Sequence, residues 1–142
     1  AAEALTTLLL VGTTNPADDG GSDPRPVEVL TLESQTSAPL TSKVKIRVVH
    51  AATPPSAKSL EAYILAPEAA LTGINIPLNY KATSSYSTFD AGTYRVSATL
   101  PGVTNSTVVK SDPLILVAGK IYTVVLVNPD GNGVGAVLLT DK

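Results

Sequence analysis

The stretch that most constrains the fold is Lys-Ile-Tyr-Thr-Val-Val-Leu-Val, at residues 120–127. Its β-branched and aromatic residues favour a strand, and its apolar side chains point to both faces of that strand. Gly119 and the turn-forming sequence Asn-Pro-Asp-Gly at 128–131 bound it. A strand that is apolar on both faces needs strand neighbours and packing on either side, so the pattern predicts the central strand of a β-sheet.

The same pattern occurs a second time near the start of the chain. Residues 7–12, Thr-Leu-Leu-Leu-Val-Gly, align with residues 123–128, and residues 29–33 align with residues 137–141. The chain therefore ends with a predicted hairpin and begins with a copy of that hairpin.

Four consecutive apolar residues form the predicted assembly strand of this first hairpin: Leu8, Leu9, Leu10 and Val11. Full burial of each side chain contributes ~1.5–3 kcal/mol, so we expect both faces of the strand to be covered. An isolated hairpin is marginal in water and needs a larger sheet. Three accounts stay open: the chain is a piece of a tandem protein, the hairpin folds back onto its own sandwich, or it completes the sheet of a neighbouring molecule.

Between the two hairpins, short strand patterns recur with turn signals every eight to twelve residues or so and with almost no helical periodicity. This spacing predicts an all-β fold, an antiparallel immunoglobulin-like β-sandwich of about seven strands, in addition to the N-terminal hairpin. The Ser, Thr and Pro content of the segment before it indicates a linker. The predicted organisation is a hairpin at 1–36, a linker at 37–42 and a sandwich domain at 43–142.

Strict alternation in two strands predicts which side chains face the core and which face water. In the strand from residue 43, the core-facing set is Val44, Ile46 and Val48, and the water-facing set is Lys43, Lys45 and Arg47. In the strand at 93–100, the water-facing set includes Arg95, Ser97 and Thr99. Pro77 interrupts a third strand and, because it lacks an amide donor, predicts an edge position or a bulge.

Composition excludes several classes of function. A net charge of -2 with a pI near 5.2 gives no electrostatic footprint for nucleic acid. The absence of cysteine excludes disulfides and thiolate metal ligands. The apolar run at residues 5–11 is far shorter than the ~20 residues of a membrane-spanning helix, so we expect no membrane span.

Four blocks, in this order and spacing, resemble the bacterial domain-of-unknown-function family 4397. They are Val-Lys-Ile-Arg-Val-Val-His-Ala at 44–51, Glu-Ala-Tyr-Ile at 61–64, Asp-Ala-Gly-Thr-Tyr-Arg-Val at 90–96 and Ala-Gly-Lys-Ile-Tyr-Thr-Val-Val at 118–125. The resemblance spans residues 43–142 and implies a secreted or cell-surface β-sandwich, often present in several copies per chain. It also makes residues 1–34 look like the terminal hairpin of a preceding copy. It implies no activity and brings no functional residues.

Candidate chemistry is sparse. His50 is the only histidine, and no nucleophile or acid is placed beside it by the sequence, so a hydrogen-bonded histidine at the rim of a strand is favoured over a catalytic one. The acidic loop contains the candidate Ca²⁺ ligands Asp18, Asp19 and Asp23, but it lacks EF-hand spacing and the closing Glu, which favours a solvated loop. No catalytic or cofactor-binding residue is predicted.

The sequence therefore predicts a non-enzymatic, extracellular or cell-surface structural or adhesive protein. We expect it to self-associate through its hairpin, by strand addition into a neighbouring subunit of an oligomer or fibre. The alternative is a cell-surface module that binds a ligand or a glycan within a tandem-repeat protein. The stacking candidates for a sugar are the five tyrosines, of which Tyr94 and Tyr122 are predicted to face the core.

Overall fold

A computed structural model describes residues 5–12, 27–34, 37–52, 58–72, 75–128 and 133–142. The described residues form eleven β-strands and no helix, so the predicted all-β fold is confirmed. The strands are β1 (Leu5–Val11), β2 (Glu28–Ser34), β3 (Lys43–His50), β4 (Ser59–Leu65), β5 (Ile76–Asn79), β6 (Ser87–Asp90), β7 (Gly92–Thr99), β8 (Thr107–Lys110), β9 (Leu114–Leu116), β10 (Ile121–Val127) and β11 (Gly135–Thr140).

Strands β3 to β11 form a sandwich of two sheets. Sheet I has the order β11-β10-β3-β6, and sheet II has the order β5-β4-β7-β8, with β9 also paired to β7. The core between them contains Val44, Ile46, Val48, Leu60, Ala62, Val96, Ala98, Val124 and Leu126. The described sandwich has nine strands rather than about seven because β6 and β7 are split by Ala91 between the two sheets, and β8 and β9 pair with successive parts of β7. The immunoglobulin-like arrangement stays a prediction.

Strand β10 lies between β11 and β3, and all but its last residue are buried, which confirms the predicted central strand. It runs antiparallel to β11 but parallel to β3. A parallel pair needs a long crossover connection, and here most of the sandwich lies between the two strands in sequence. The other strand pairs described are antiparallel, as predicted.

The edge position that Pro77 predicts is confirmed. Strand β5 pairs with β4 only and closes one side of sheet II. Pro77 is exposed and lies opposite Glu61 of β4. At an edge, the missing amide donor of proline costs no ladder hydrogen bond.

Strands β1 and β2 form a third layer. They pair with each other from Leu5–Ser34 to Val11–Glu28, and in the described residues neither pairs with a strand of the sandwich. This hairpin lies on the outer face of sheet I, where Leu32, Val49 and Val125 form a second buried cluster, with Leu9 and Leu30 packed against it. The hairpin thus docks on the sandwich of its own chain.

The third layer corrects the prediction that all three cations of β3 face water. Lys43 and Lys45 are half-buried, but Arg47 is only 4% exposed. Alternation placed Arg47 on the outer face of sheet I correctly. The hairpin covers that face, so the side chain is buried there.

A similar correction applies to β7. Arg95, Ser97 and Thr99 were predicted to face water, yet all three are buried. They share the outer face of sheet II with Tyr63, which lies opposite Ser97. The segment that follows β4 covers part of this face, since the Arg95 guanidinium donates a hydrogen bond to the carbonyl oxygen of Ala69.

Candidate assembly site

The two faces of β1 have different environments. Val11 is buried and Leu9 is half-buried against sheet I, whereas Leu8 is 66% and Leu10 is 77% exposed. The prediction that both faces of this strand are covered is therefore wrong for Leu8 and Leu10. A two-stranded sheet docked by one side leaves the other side open.

The open side of the hairpin is apolar. Leu10 lies directly opposite Val29 of β2, which is also exposed, and Leu8 lies two residues away on the same face. We call Leu8, Leu10 and Val29 the hairpin stripe. In the described residues, β1 and β2 each have one edge without a strand partner. An apolar face beside open strand edges is the kind of surface to which another sheet binds.

The internal repeat identifies what this face corresponds to. Leu8 and Leu10 align with Val124 and Leu126, which are fully buried between sheets I and II. The hairpin stripe is therefore the counterpart of a face that, in the second copy, forms the sandwich core.

The pairing register of β2 differs from that of its aligned strand, β11. Thr7 pairs with Leu32, whereas the aligned Thr123 pairs with Leu139, one residue out of step with the alignment. A one-residue slip moves side chains to the opposite face. Leu30 consequently lies on the docked side of the hairpin, although its aligned residue Leu138 packs against the core.

A buried polar cluster fixes the end of β2 on sheet I. Arg47 donates three hydrogen bonds: from Nη1 to the carbonyl oxygen of Glu33 at 2.7 Å, from Nη2 to Oγ of Ser34 at 3.0 Å and from Nε to Oγ1 of Thr123 at 2.9 Å. Glu33 and Ser34 belong to the hairpin and Thr123 belongs to β10. One guanidinium therefore connects the hairpin to the central strand of sheet I.

Asp141 provides the opposite charge for this cluster. Its Oδ2 lies 3.7 Å from Nη2 of Arg47, and the two side chains are 3% and 5% exposed. Oδ2 also accepts hydrogen bonds from Oγ1 of Thr123 at 2.7 Å and from the Tyr86 hydroxyl at 2.8 Å. The guanidinium carbon of Arg47 lies 4.8 Å from the centroid of the Tyr86 ring. Both buried charges thus have the partners that burial of an ion pair requires.

The environment of Tyr86 favours its neutral form. Burial raises the pKa of the Tyr86 hydroxyl above its ordinary value, and the hydrogen bond to Asp141 raises this pKa further. The hydrogen bond with Ser34 and the charge of Arg47 act in the opposite direction. Ionised Tyr86 would place an anion beside the carboxylate of Asp141, so the cluster is built for a protonated tyrosine.

A second, weaker contact fixes the other end of β2. Nζ of Lys81 lies 2.6 Å from Oε2 of Glu28, and both side chains are partly exposed. Near the Arg47 end, Nζ of Lys45 donates to the carbonyl oxygen of Ser37 at 3.0 Å. Exposed ion pairs of this kind contribute about 0–1 kcal/mol, so they orient the hairpin more than they hold it.

The other candidate residues are not brought to this site. His50 is fully buried at the end of β3, with its ring edge-on to Tyr80 at 6.0 Å between centroids. The candidate Ca²⁺ ligands Asp18, Asp19 and Asp23 lie outside the described residues. Across the described part of the chain, His, Cys, Asp and Glu form no group of three or more suited to a metal ion. The described residues also include no helix of the length and hydrophobicity needed to cross a membrane.

All five tyrosines lie in the described residues, and none is exposed. As predicted, Tyr122 is part of the core and Tyr94 packs against it.

A separate cleft of about 320 Å³ opens at one side of the sandwich, where β5 and β6 are the edge strands. It is lined by Ile64, Leu65, Thr72, Ile76, Ser87, Thr88 and Phe89.

Comparison with known families identifies the sandwich. A family described as Domain of unknown function (DUF4397) matches residues 54–142, which is more than half of the chain. The chain belongs to the DUF4397 family. This confirms the family suggested by the sequence blocks. The DUF4397 match begins after β3 and leaves the hairpin outside it. No curated protein matches the chain.

Proposed function

We propose that this chain is a non-enzymatic structural protein of the bacterial cell surface or the extracellular space, which self-associates through its N-terminal hairpin by strand addition into a neighbouring subunit. The observation that carries the proposal is the hairpin stripe, an exposed apolar face whose counterpart in the second copy is a sandwich core.

The free energy of apolar burial favours a partner that covers the hairpin stripe. Each large aliphatic side chain gains ~1.5–3 kcal/mol on full burial, so covering Leu8, Leu10 and Val29 provides several kcal/mol towards association. The open edges of β1 and β2 add main-chain hydrogen bonds and fix the direction of an incoming strand. The apolar face and the open edges therefore both favour association, against the translational and rotational freedom that binding costs.

Strand addition has a specific geometry here. A strand of a neighbouring subunit beside β1 or β2 extends the hairpin sheet, and the neighbour's second layer then covers the hairpin stripe, as sheet II covers Val124 and Leu126. The donating and receiving surfaces of such a contact differ. Repetition of a head-to-tail contact gives a ring if the rotation closes and a fibre if it does not.

The test is the double variant Leu8→Thr/Leu10→Thr, which keeps β propensity but removes the apolar face. The matched control is Leu40→Thr/Ile115→Thr, because these residues are 77% and 72% exposed elsewhere on the molecule. Sedimentation velocity over a range of protein concentrations should show association for the wild type and the control, and its loss for the stripe variant. Equal association of all three proteins would refute the proposal.

The edge cleft between β5 and β6 supports a second candidate, a module that binds a small ligand. Its volume of about 320 Å³ falls within the usual range for ligand sites, and most of its lining is apolar. No tyrosine is among the residues that line the cleft, so a small apolar ligand suits the cleft better than a stacked sugar. Under this alternative the stripe variant and the wild type would both remain monomeric.

A further inference from the structure

We propose that the outer face of sheet I is an exchangeable docking site, and that in the assembled protein it is occupied by the hairpin of a second copy of this chain. This inference rests on the proposed self-association through the hairpin. It adds that the covered side of the hairpin, and not only the exposed stripe, makes contacts between subunits.

The hairpin is held on sheet I only by side-chain contacts in the described residues. Neither β1 nor β2 shares a ladder with the sandwich. These contacts include the apolar cluster around Leu32, the hydrogen bonds of Arg47, the hydrogen bond between Tyr86 and Ser34, and the Lys81–Glu28 ion pair. A hairpin from another molecule can form every one of these contacts. Among the described contacts, none distinguishes the two hairpins, so the preference for the hairpin of the same chain comes from the tether.

The docking site is costly to leave empty. Without a hairpin, Arg47 loses its hydrogen bonds to Glu33 and Ser34, two of the three that it donates, while Val49 and Val125 become exposed. The exposed apolar side chains raise the free energy of the sandwich, while the uncovered guanidinium exchanges its two lost hydrogen bonds for hydrogen bonds to water. Occupation of the site by a hairpin is therefore favoured over an empty site. Every copy of the chain carries a hairpin with the residues that the site contacts.

The tether is long enough to permit exchange. Eight residues, 35–42, connect β2 to β3, and a fully extended segment of that length spans about 26–29 Å. All residues of its described part, 37–42, are exposed except the half-buried Pro39. Re-routing such a segment breaks few contacts. Docking within the chain is then favoured when molecules are dilute, and docking between chains when many copies are close together.

The absence of cysteine makes exchange directly measurable by crosslinking. Full-length chains carrying Glu28→Cys are mixed with full-length chains carrying Lys81→Cys, because Glu28 and Lys81 contact each other in the docked hairpin. The mixture is treated with a short bis-maleimide at concentrations where the wild type associates. One chain carries an isotope label, so that mass spectrometry distinguishes products between chains from products within one chain.

We expect crosslinks between the two chains, with a yield that rises with protein concentration. The control mixture, Glu28→Cys with Lys110→Cys, should give a several-fold lower yield, because Lys110 lies on β8 in sheet II. The inference is wrong if the Glu28→Cys and Lys81→Cys mixture gives no more product than the control while a chain with both cysteines crosslinks internally.

A shortened tether provides a second measurement. Deletion of residues 37–42 leaves two residues between β2 and β3, a reach of about 7 Å, which disfavours docking within the chain. This variant should be oligomeric at concentrations where the wild type is monomeric. A monomer with a protected hairpin would overturn the inference. If association depends on the hairpin stripe but all crosslinks stay within single chains, the proposed function stands and exchange does not occur.

Discussion

Strands β1 and β10 have nearly the same sequence pattern but different environments. In β10 every residue except the last is buried, because the strand has β11 and β3 beside it, sheet II on one face and the hairpin on the other. β1 has β2 as its only neighbour in the described residues, and the sandwich covers only one of its faces. The sequence pattern therefore determines that a segment is a strand, while the surrounding layers determine how much of it is buried.

The largest expected effect on stability comes from Arg47 and Asp141, the buried ion pair where the hairpin meets β10. Arg47→Met leaves the carboxylate of Asp141 buried without its cation, and breaking a buried pair in this way costs about 3–5 kcal/mol. The double variant Arg47→Met/Asp141→Asn removes both charges and should recover part of that loss. Urea denaturation measures both variants. If they are equally unstable, the ion pair is not what stabilises this cluster.

The next effect compares equivalent leucines in the two strands. Leu126→Ala in β10 should lower the free energy of unfolding by about 2–5 kcal/mol, because Leu126 is fully buried in the core. Leu10→Ala in β1 should change it by no more than about 0.5 kcal/mol in dilute protein, because Leu10 is exposed. Denaturation below the association concentration provides the measurement. A large loss for Leu10→Ala would mean that the stripe is covered within the monomer.

The smallest effect is a dependence on pH above the ordinary tyrosine pKa of about 10. The pKa of Tyr86 is higher in the folded protein than in the unfolded chain, so the folded state retains this proton over a range where the unfolded state loses it. The stability from protonated Tyr86 is thus fully present below about pH 10 and is lost as pH rises through the folded-state pKa. Denaturation of the wild type and Tyr86→Phe at increasing alkaline pH isolates this contribution. The variant should lose less stability than the wild type, and parallel curves would contradict the assignment.

Local sequence signals were sufficient to predict the fold class from the turn spacing, the central position of β10 from its two apolar faces, and the position of Pro77 from its missing amide donor. Period-two alternation predicted the inward and outward faces of β3 and β7. It assigned Arg47 and Arg95 to outer faces but could not indicate that another segment covers each face. The alternation of polar and apolar residues is the same whether the polar side meets water or a hairpin. The Arg47 cluster joins residues distant in sequence, and only the folded arrangement brings Asp141 and Tyr86 together.

The boundaries of the hairpin, linker and sandwich stay a prediction. The repeat correctly indicated a hairpin near the start of the chain, and β1 follows the alignment residue by residue. β2 is shifted by one position, and the alignment of residues 29–33 with residues 137–141 does not indicate this shift. The contact of Leu32 with Val49 and Val125 provides that information only after folding.

The parallel pairing of β3 and β10 has a mechanical consequence. Lys45 near the start of β3 pairs with Ile121 at the start of β10, and the amide of Ile121 donates to the carbonyl oxygen of Lys142. The sandwich is therefore joined to the segments before β3 and after β11 at the same end of sheet I. Tension applied through those two points would pull β11 away from β10 one hydrogen bond at a time, rather than loading the whole ladder at once. Under force, this module would yield gradually by peeling.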